Sequence, residues 1–102
     1  MHIITEKALS NFGKQHPQAA QPMRLFIQTL RRAEWRSLEE TRSVLPHADQ
    51  VTVKSGSVVT VFNVGGNNWR VITALHYNRQ VVYILAVLTH AEYDRQKWKE
   101  TL

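Results

Sequence analysis

The chain has 102 residues, 43% of them hydrophobic and 21% charged, a balance that supports one packed core and excludes a disordered or low-complexity protein. It has no cysteine, which excludes disulfides and thiolate metal sites, and its longest apolar run, Val81 to Leu88, is far short of the roughly 20 residues that span a bilayer. Thirteen Lys and Arg against eight Asp and Glu leave a net charge of +5 and a pI near 10.0, which suits a polyanionic partner.

The opening MHIITEKALS has neither the basic region nor the apolar stretch of a secretion signal, so a cytoplasmic protein is expected. Met1 to Ile4 reads as a short edge strand. Thr5 is a candidate N-cap for a first helix, with Ala8, Leu9 and Phe12 at helical spacing up to the stop at His16-Pro17. A second helix follows from Met23, Phe26, Ile27 and Leu30, which keep the i, i+3, i+4, i+7 pattern of a buried stripe, and Pro22 either opens that helix or bends it. Trp35 is expected to close over the helix end. Ser37, with Glu40 three residues on, has capping-box spacing for a short turn of helix reaching Leu45-Pro46.

From Phe62 to Asp94, three runs rich in Val, Ile, Thr, Tyr and Phe are cut by Gly65-Gly66-Asn67-Asn68 and by Asn78-Arg79-Gln80, which indicates hairpins and an antiparallel meander. Val59, Val61 and Asn63 alternate with Val58, Thr60 and Phe62. Both sets are largely apolar, so one face of the sheet lies under the helices, and the other is partly covered and can form a groove. Asp94 to Glu100 can start a terminal helix, with Trp98 available for packing. The expected fold is α+β in the order β-α-α-β-β-β-α, one domain over residues 1–102. Every acidic residue lies at or before Asp49 or at or after Glu92, so Lys54, Arg70, His76, Arg79 and His90 have no neighbour in sequence to neutralise them, and the sheet is expected to carry a positive field.

His2, His16, His47, His76 and His90 fall in no zinc-like spacing, and neither HExxH nor a paired-carboxylate constellation occurs, so no metal is expected. Gly65-Gly66 lacks a GxGxxG or Walker context and reads as a hairpin turn rather than a phosphate cradle. Arg70 and Lys54 have the chemistry to neutralise phosphates or to offset charge developing on a phosphorane-like transition state; from the residues alone each also reads as a solvated surface charge. His90 can move a proton near neutral pH, and Tyr93, three residues later at a strand-to-helix junction, can lie beside it with its hydroxyl free to donate. Residue types alone favour a plainer pair, a capping histidine and a half-buried tyrosine. His76 and Tyr77 could add a stacking surface or simply pack across strands.

The segments FNVGG-N-x-x-R (Phe62 to Arg70), HYNR (His76 to Arg79) and above all THAEYD (Thr89 to Asp94) resemble the HigB-type toxins of the RelE superfamily. Trp35, the Leu45 to Asp49 segment and the opening Met-His-Ile-Ile also sit where that family has similar residues. The resemblance implies a small RelE-like domain that acts as a ribosome-dependent messenger-RNA endonuclease. It further implies a helix-turn-helix antitoxin of the HigA type as partner, DNA contact only through that antitoxin, and no cofactor. It implies attack of a ribose 2′-hydroxyl on the adjacent phosphate, with Arg70 and Lys54 offsetting charge, His90 and Tyr93 handling protons, and Asn67, His76 and Arg79 contacting RNA. One departure stands out. Where the family usually has a Tyr-Ile-Arg-like segment, Tyr83-Ile84 is followed here by Leu85-Ala86, leaving Arg79 or Lys54 to compensate. The rival reading is a non-catalytic basic module that docks on ribosomal RNA or on a protein. Exchanging His90 or Tyr93 separates the two, because turnover is lost with binding kept only in an enzyme.

Overall fold

Two apolar stripes decide how the helices lie on the sheet. In a computed structural model that describes residues 1–102, α1 (Glu6–Gln15) buries Leu9 and Phe12, and α2 (Ala20–Arg32) buries Met23, Phe26 and Leu30. These side chains share one core with Ile3, Phe62, Val64, Val71, Val82 and Ile84 of the sheet. α1 ends at His16-Pro17 as the proline requires, and a 3-10 turn, Pro17–Ala19, leads into α2. Pro22 falls in the first turn of α2, where its missing N–H leaves no bond unmade, so it opens the helix. Trp35 is buried and stacks on Phe62 with ring centroids 6.3 Å apart, covering the exit of α2 as expected. A third helix, α3 (Leu38–Val44), is capped by Ser37, whose hydroxyl accepts from the Glu40 N–H, while the Glu40 carboxylate accepts from the Arg36 N–H.

Five strands form one sheet in the order β1-β5-β4-β3-β2: β1 (His2–Ile4), β2 (Asp49–Thr52), β3 (Val58–Val64), β4 (Trp69–His76) and β5 (Val81–Thr89). β2 to β5 pair antiparallel, and β1 joins the outer edge of β5 in parallel. The meander gains a strand over the sequence expectation. β2 is four residues long and exposed at all of them but the half-buried Val51, so it does not stand out before the Lys54 to Ser57 turn. The β3–β4 turn places Gly65 and Gly66 at φ 64° and 69°. A Cβ on Gly65 would lie 2.5 Å from the Trp69 ring, so this hairpin needs glycine there for conformation and for space.

Three expectations are corrected. Thr5 adopts φ 69° with no side-chain cap bond, so it turns the chain from β1 into α1 without capping it. The terminal helix begins four residues earlier than expected, as α4 (His90–Asp94). It breaks near Gln96, at φ 60°, and resumes as α5 (Trp98–Thr101). Thr89 is the cap of α4: its hydroxyl accepts from the Glu92 N–H and the Glu92 carboxylate accepts from the Thr89 N–H, a complete capping box. The sheet is also not free of acid, because Asp49 lies in β2 opposite Val61.

Strand alternation separates two faces. Phe62, Val71, Val82 and Ile84 point to α1 and α2, whereas Asn63, Val61, Arg70, Ile72, Ala74 and His76, with Leu88, Ala86, Tyr83 and Val81 opposite, point the other way. The register of β4 against β5 slips between Ile72 and Thr73, leaving Leu85 unpaired as a bulge that exposes its side chain. The second face is covered only in part. Trp98 packs on Val53, Val59, Val61 and Ile72, and Tyr93 and Leu102 border the same cluster.

Candidate active site on the open face of the sheet

Arg70 is the centre of the second face. It stands in β4 between Asn63 of β3 and Leu88 of β5, is only 7% exposed, and has no carboxylate within salt-bridge distance. Its guanidinium is held by oxygen acceptors instead: Nη1 donates to the carbonyls of Asn67 and Trp69 at 3.0 and 3.2 Å, and Nη2 to Asn67 Oδ1 at 2.5 Å. A buried cation fixed by dipoles and lacking a counter-charge keeps its full attraction for an incoming anion. The turn built on Gly65 and Gly66 presents those Asn67 acceptors, so the hairpin glycines serve the site by shaping its brace.

Tyr93 lies across the same cation, with the Arg70 guanidinium carbon 5.2 Å from its ring centroid. Its other neighbour is Trp98, stacked at 5.3 Å with an interplanar angle of 17°, and the Trp98 indole N–H donates to the Tyr93 carbonyl at 3.1 Å. Burial raises the Tyr93 phenol above the usual phenol range; the Asp49 and Asp94 charges push the same way and Arg70 opposes them. The hydroxyl is therefore held neutral and able to donate.

His90 opens α4, and its N–H donates to the Asn68 carbonyl at 3.1 Å, tying the helix to the turn that braces Arg70. Asp94, one helical turn on, places Oδ2 2.7 Å from His90 Nδ1. The carboxylate accepts a hydrogen bond from the Nδ1 N–H, which leaves Nε2 free and fixes the ring in one orientation. The His90 side chain is 43% exposed. Arg70, Asn67, Tyr93 and His90 are thus joined at one end of the sheet through two short connections. The Asp94 and Asp49 contributions are plain only in three dimensions, although the i, i+4 spacing of His90 and Asp94 on a helix was available from the sequence.

The other candidates lie elsewhere on this face. Lys54 is beyond the Tyr93–Trp98 stack: its N–H donates to the Lys99 carbonyl at 2.9 Å, and the Lys99 ammonium sits 5.6 Å from the Trp98 ring centroid. His76 and Arg79 are at the opposite end of β4 from Arg70. His76 sets its ring edge-on to Tyr83, with centroids 5.2 Å apart, and Arg79 Nη2 donates to the Tyr83 hydroxyl at 2.9 Å. No three histidines and carboxylates gather closely enough to hold a metal ion. An open groove of about 1020 Å³ lies away from this chemistry, between Met1, His2, the end of α2 and the β4–β5 turn. Arg70, Tyr93 and His90 sit on the partly covered face of the sheet and do not line that groove.

Residues 19–96, which include β2 to β5, α4 and the candidate residues Arg70, Asn67, His90 and Tyr93, match the model of the family described as HigB toxin, the RelE-like toxic component of a toxin-antitoxin system. The chain belongs to the HigB toxin family. It is 34% identical over 94 residues to the mRNA interferase toxin HigB of Escherichia coli (strain K12), covering 92% of this chain and 88% of that protein. It is 26% identical over 95 residues to an mRNA interferase HigB of Escherichia coli O6:H1, covering 93% and 90%. Membership of the HigB family makes the chain the toxic partner of a toxin-antitoxin pair, so an antitoxin is its counterpart. No helix is long and apolar enough to cross a membrane.

Proposed function

We propose that the chain is a messenger-RNA endonuclease acting in the decoding site of the ribosome, neutralised by a helix-turn-helix antitoxin of the HigA type. The observation that carries the reading is Arg70: a cation without a carboxylate partner, braced by Asn67 and roofed by a phenol held neutral, on a face open enough for a polynucleotide. The names of the relatives from Escherichia coli, both mRNA interferases, point the same way.

The chemistry follows from the groups available. The ribose 2′-oxygen attacks the adjacent phosphorus, and the bond from phosphorus to the 5′-oxygen of the next nucleotide breaks, leaving a cyclic 2′,3′-phosphate and a 5′-hydroxyl. His90 Nε2, oriented by Asp94 through Nδ1, accepts the 2′ proton. Tyr93, its phenol held neutral by burial, gives a proton to the leaving 5′-oxygen and regains one afterwards from the imidazolium or from water. Arg70 offsets the extra negative charge on the phosphoryl oxygens, and because it is already fixed, little reorganisation accompanies the reaction. Asn67 positions Arg70 first and contacts RNA second. Lys54, with Lys99, supports the strand beyond Trp98.

The test is cleavage of a defined message in a bacterial translation extract. Tyr93→Phe keeps the ring on both Arg70 and Trp98, and His90→Gln keeps a side chain of similar length. Each is expected to lower cleavage by roughly 10²- to 10⁴-fold while ribosome association is kept. Near-wild-type cleavage by both variants would remove the proton-transfer assignment, and association lost in step with cleavage would mark a binding module instead.

A further inference from the structure

We propose that Tyr83, backed by Arg79 and His76, is a base-stacking platform that holds the message strand at the end of the sheet opposite the reaction site. The inference rests on the endonuclease reading above and extends it to the substrate's path. Four rows of the β4–β5 ladder share the open face: Arg70 with Leu88, Ile72 with Ala86, Ala74 with Tyr83, and His76 with Val81. Arg70 and the Tyr83 row are four residues apart along β4, roughly 13 Å at strand spacing, a gap bridged by a few nucleotides.

The floor between them is low at Ala74 and Ala86, which carry small side chains, while Trp98, over Val59, Val61 and Ile72 and bordered by Tyr93 and Leu102, rises on one flank. The far end is built differently. Tyr83 is partly exposed, and its ring is fixed from two sides, by the edge of His76 at 5.2 Å and by the Arg79 guanidinium at 2.9 Å from its hydroxyl. Arg79 has no carboxylate within salt-bridge distance, so its charge is free for a phosphate. Leu85, pushed outward by the β-bulge and 40% exposed, adds an apolar edge beside the ring. His2, which pairs with Val81 from β1, brings a second imidazole to the same row; Glu34, across the neighbouring cavity with Arg36, is the carboxylate on this side. An immobilised aromatic ring beside an unpaired guanidinium is what sequence-tolerant binding of single-stranded nucleic acid uses: the ring takes a base and the cation takes a phosphate.

The experiment measures message cleavage in the translation extract at increasing concentrations of wild-type, Tyr83→Ala, Tyr83→Phe and Arg79→Gln protein, with antitoxin affinity and the unfolding midpoint measured on the same samples. Tyr83→Ala is expected to raise the half-saturating concentration by roughly 5- to 150-fold, the range for one lost base stack, with the maximal rate unchanged. Tyr83→Phe, which keeps the ring, stays within about threefold of wild type, and Arg79→Gln weakens half-saturation and flattens its salt dependence. If wild type cleaves and Tyr83→Ala half-saturates at the wild-type concentration, the platform is refuted while the endonuclease reading stands. If Tyr83→Ala weakens only antitoxin binding, the face belongs to the protein partner and the platform is equally refuted. Absence of cleavage by the wild type removes both readings together.

Discussion

Tyr93 shows how environment assigns a role that residue type leaves open. A tyrosine near phosphate chemistry can act as phenolate base or as phenol acid, and burial under Trp98 beside Asp49 and Asp94 favours the protonated phenol, the form the proposed acid role uses, by raising it above its ordinary range despite the opposing Arg70 charge. In the folded chain the proton is held more tightly than in the unfolded chain. Its contribution to stability is therefore complete below the ordinary phenol value of about 10 and is lost as pH rises through the higher folded value. An ultraviolet titration of tyrosinate in wild type, minus that of Tyr93→Phe, isolates this one phenol among the three tyrosines of the chain. The difference curve is expected to have its midpoint above that of a free tyrosine, and a midpoint at or below it would return the proton-donor role to another group. The sequence placed His90 and Tyr93 together, but nothing in a linear pattern brings Asp49, forty-four residues earlier, to the same phenol.

At the scale of elements, α4 is the device that joins the chemistry to the sheet. It has only five residues, too few to be stable by its own hydrogen bonds, so its caps matter more than its propensity. Thr89 and Glu92 satisfy each other's N–H groups, and the His90 N–H is taken by the Asn68 carbonyl. Thr89→Ala is expected to cost about 0.5–2 kcal/mol in unfolding measurements and to reduce cleavage by more than the unfolded fraction explains, because Tyr93 and His90 ride on this helix. Equal cleavage per folded molecule would show that the site tolerates a frayed α4. The T-x-x-E spacing that announces this cap was present in THAEYD, just as the S-x-x-E spacing at Ser37 announced α3. It was obscured because apolar residues run unbroken to Leu88 and Asp94 also looked like a helix start. The apolar stripes of α1 and α2 and both hairpin turns were legible because each is a local pattern. β2, the parallel pairing of β1 and the bulge at Leu85 were not, since each is set by partners distant in sequence.

Over the whole molecule, net charge and its placement set what the toxin does when its partner is absent. The chain carries +5, and the open face sets Arg70, Arg79 and Lys99 against Asp49 and Asp94, a balance that favours polyanions, while the other side of the sheet packs against α1 and α2. A protein of this kind could halt growth by clogging ribosomes stoichiometrically or by turning over messages catalytically, and the two differ in how few molecules suffice. Expression of the chain alone in bacteria is expected to arrest growth and translation, and the arrest should be relieved by co-expression of an antitoxin that covers the open face. The deciding comparison is a Tyr93→Phe, His90→Gln double variant, which keeps the charge pattern and, by its retained ring contacts, the fold. If the variant accumulates as soluble, ribosome-associated protein and growth continues, arrest depends on turnover. Should it arrest growth at the same expression level as wild type, the positive face alone is sufficient, and the toxin acts by occupancy rather than by cutting.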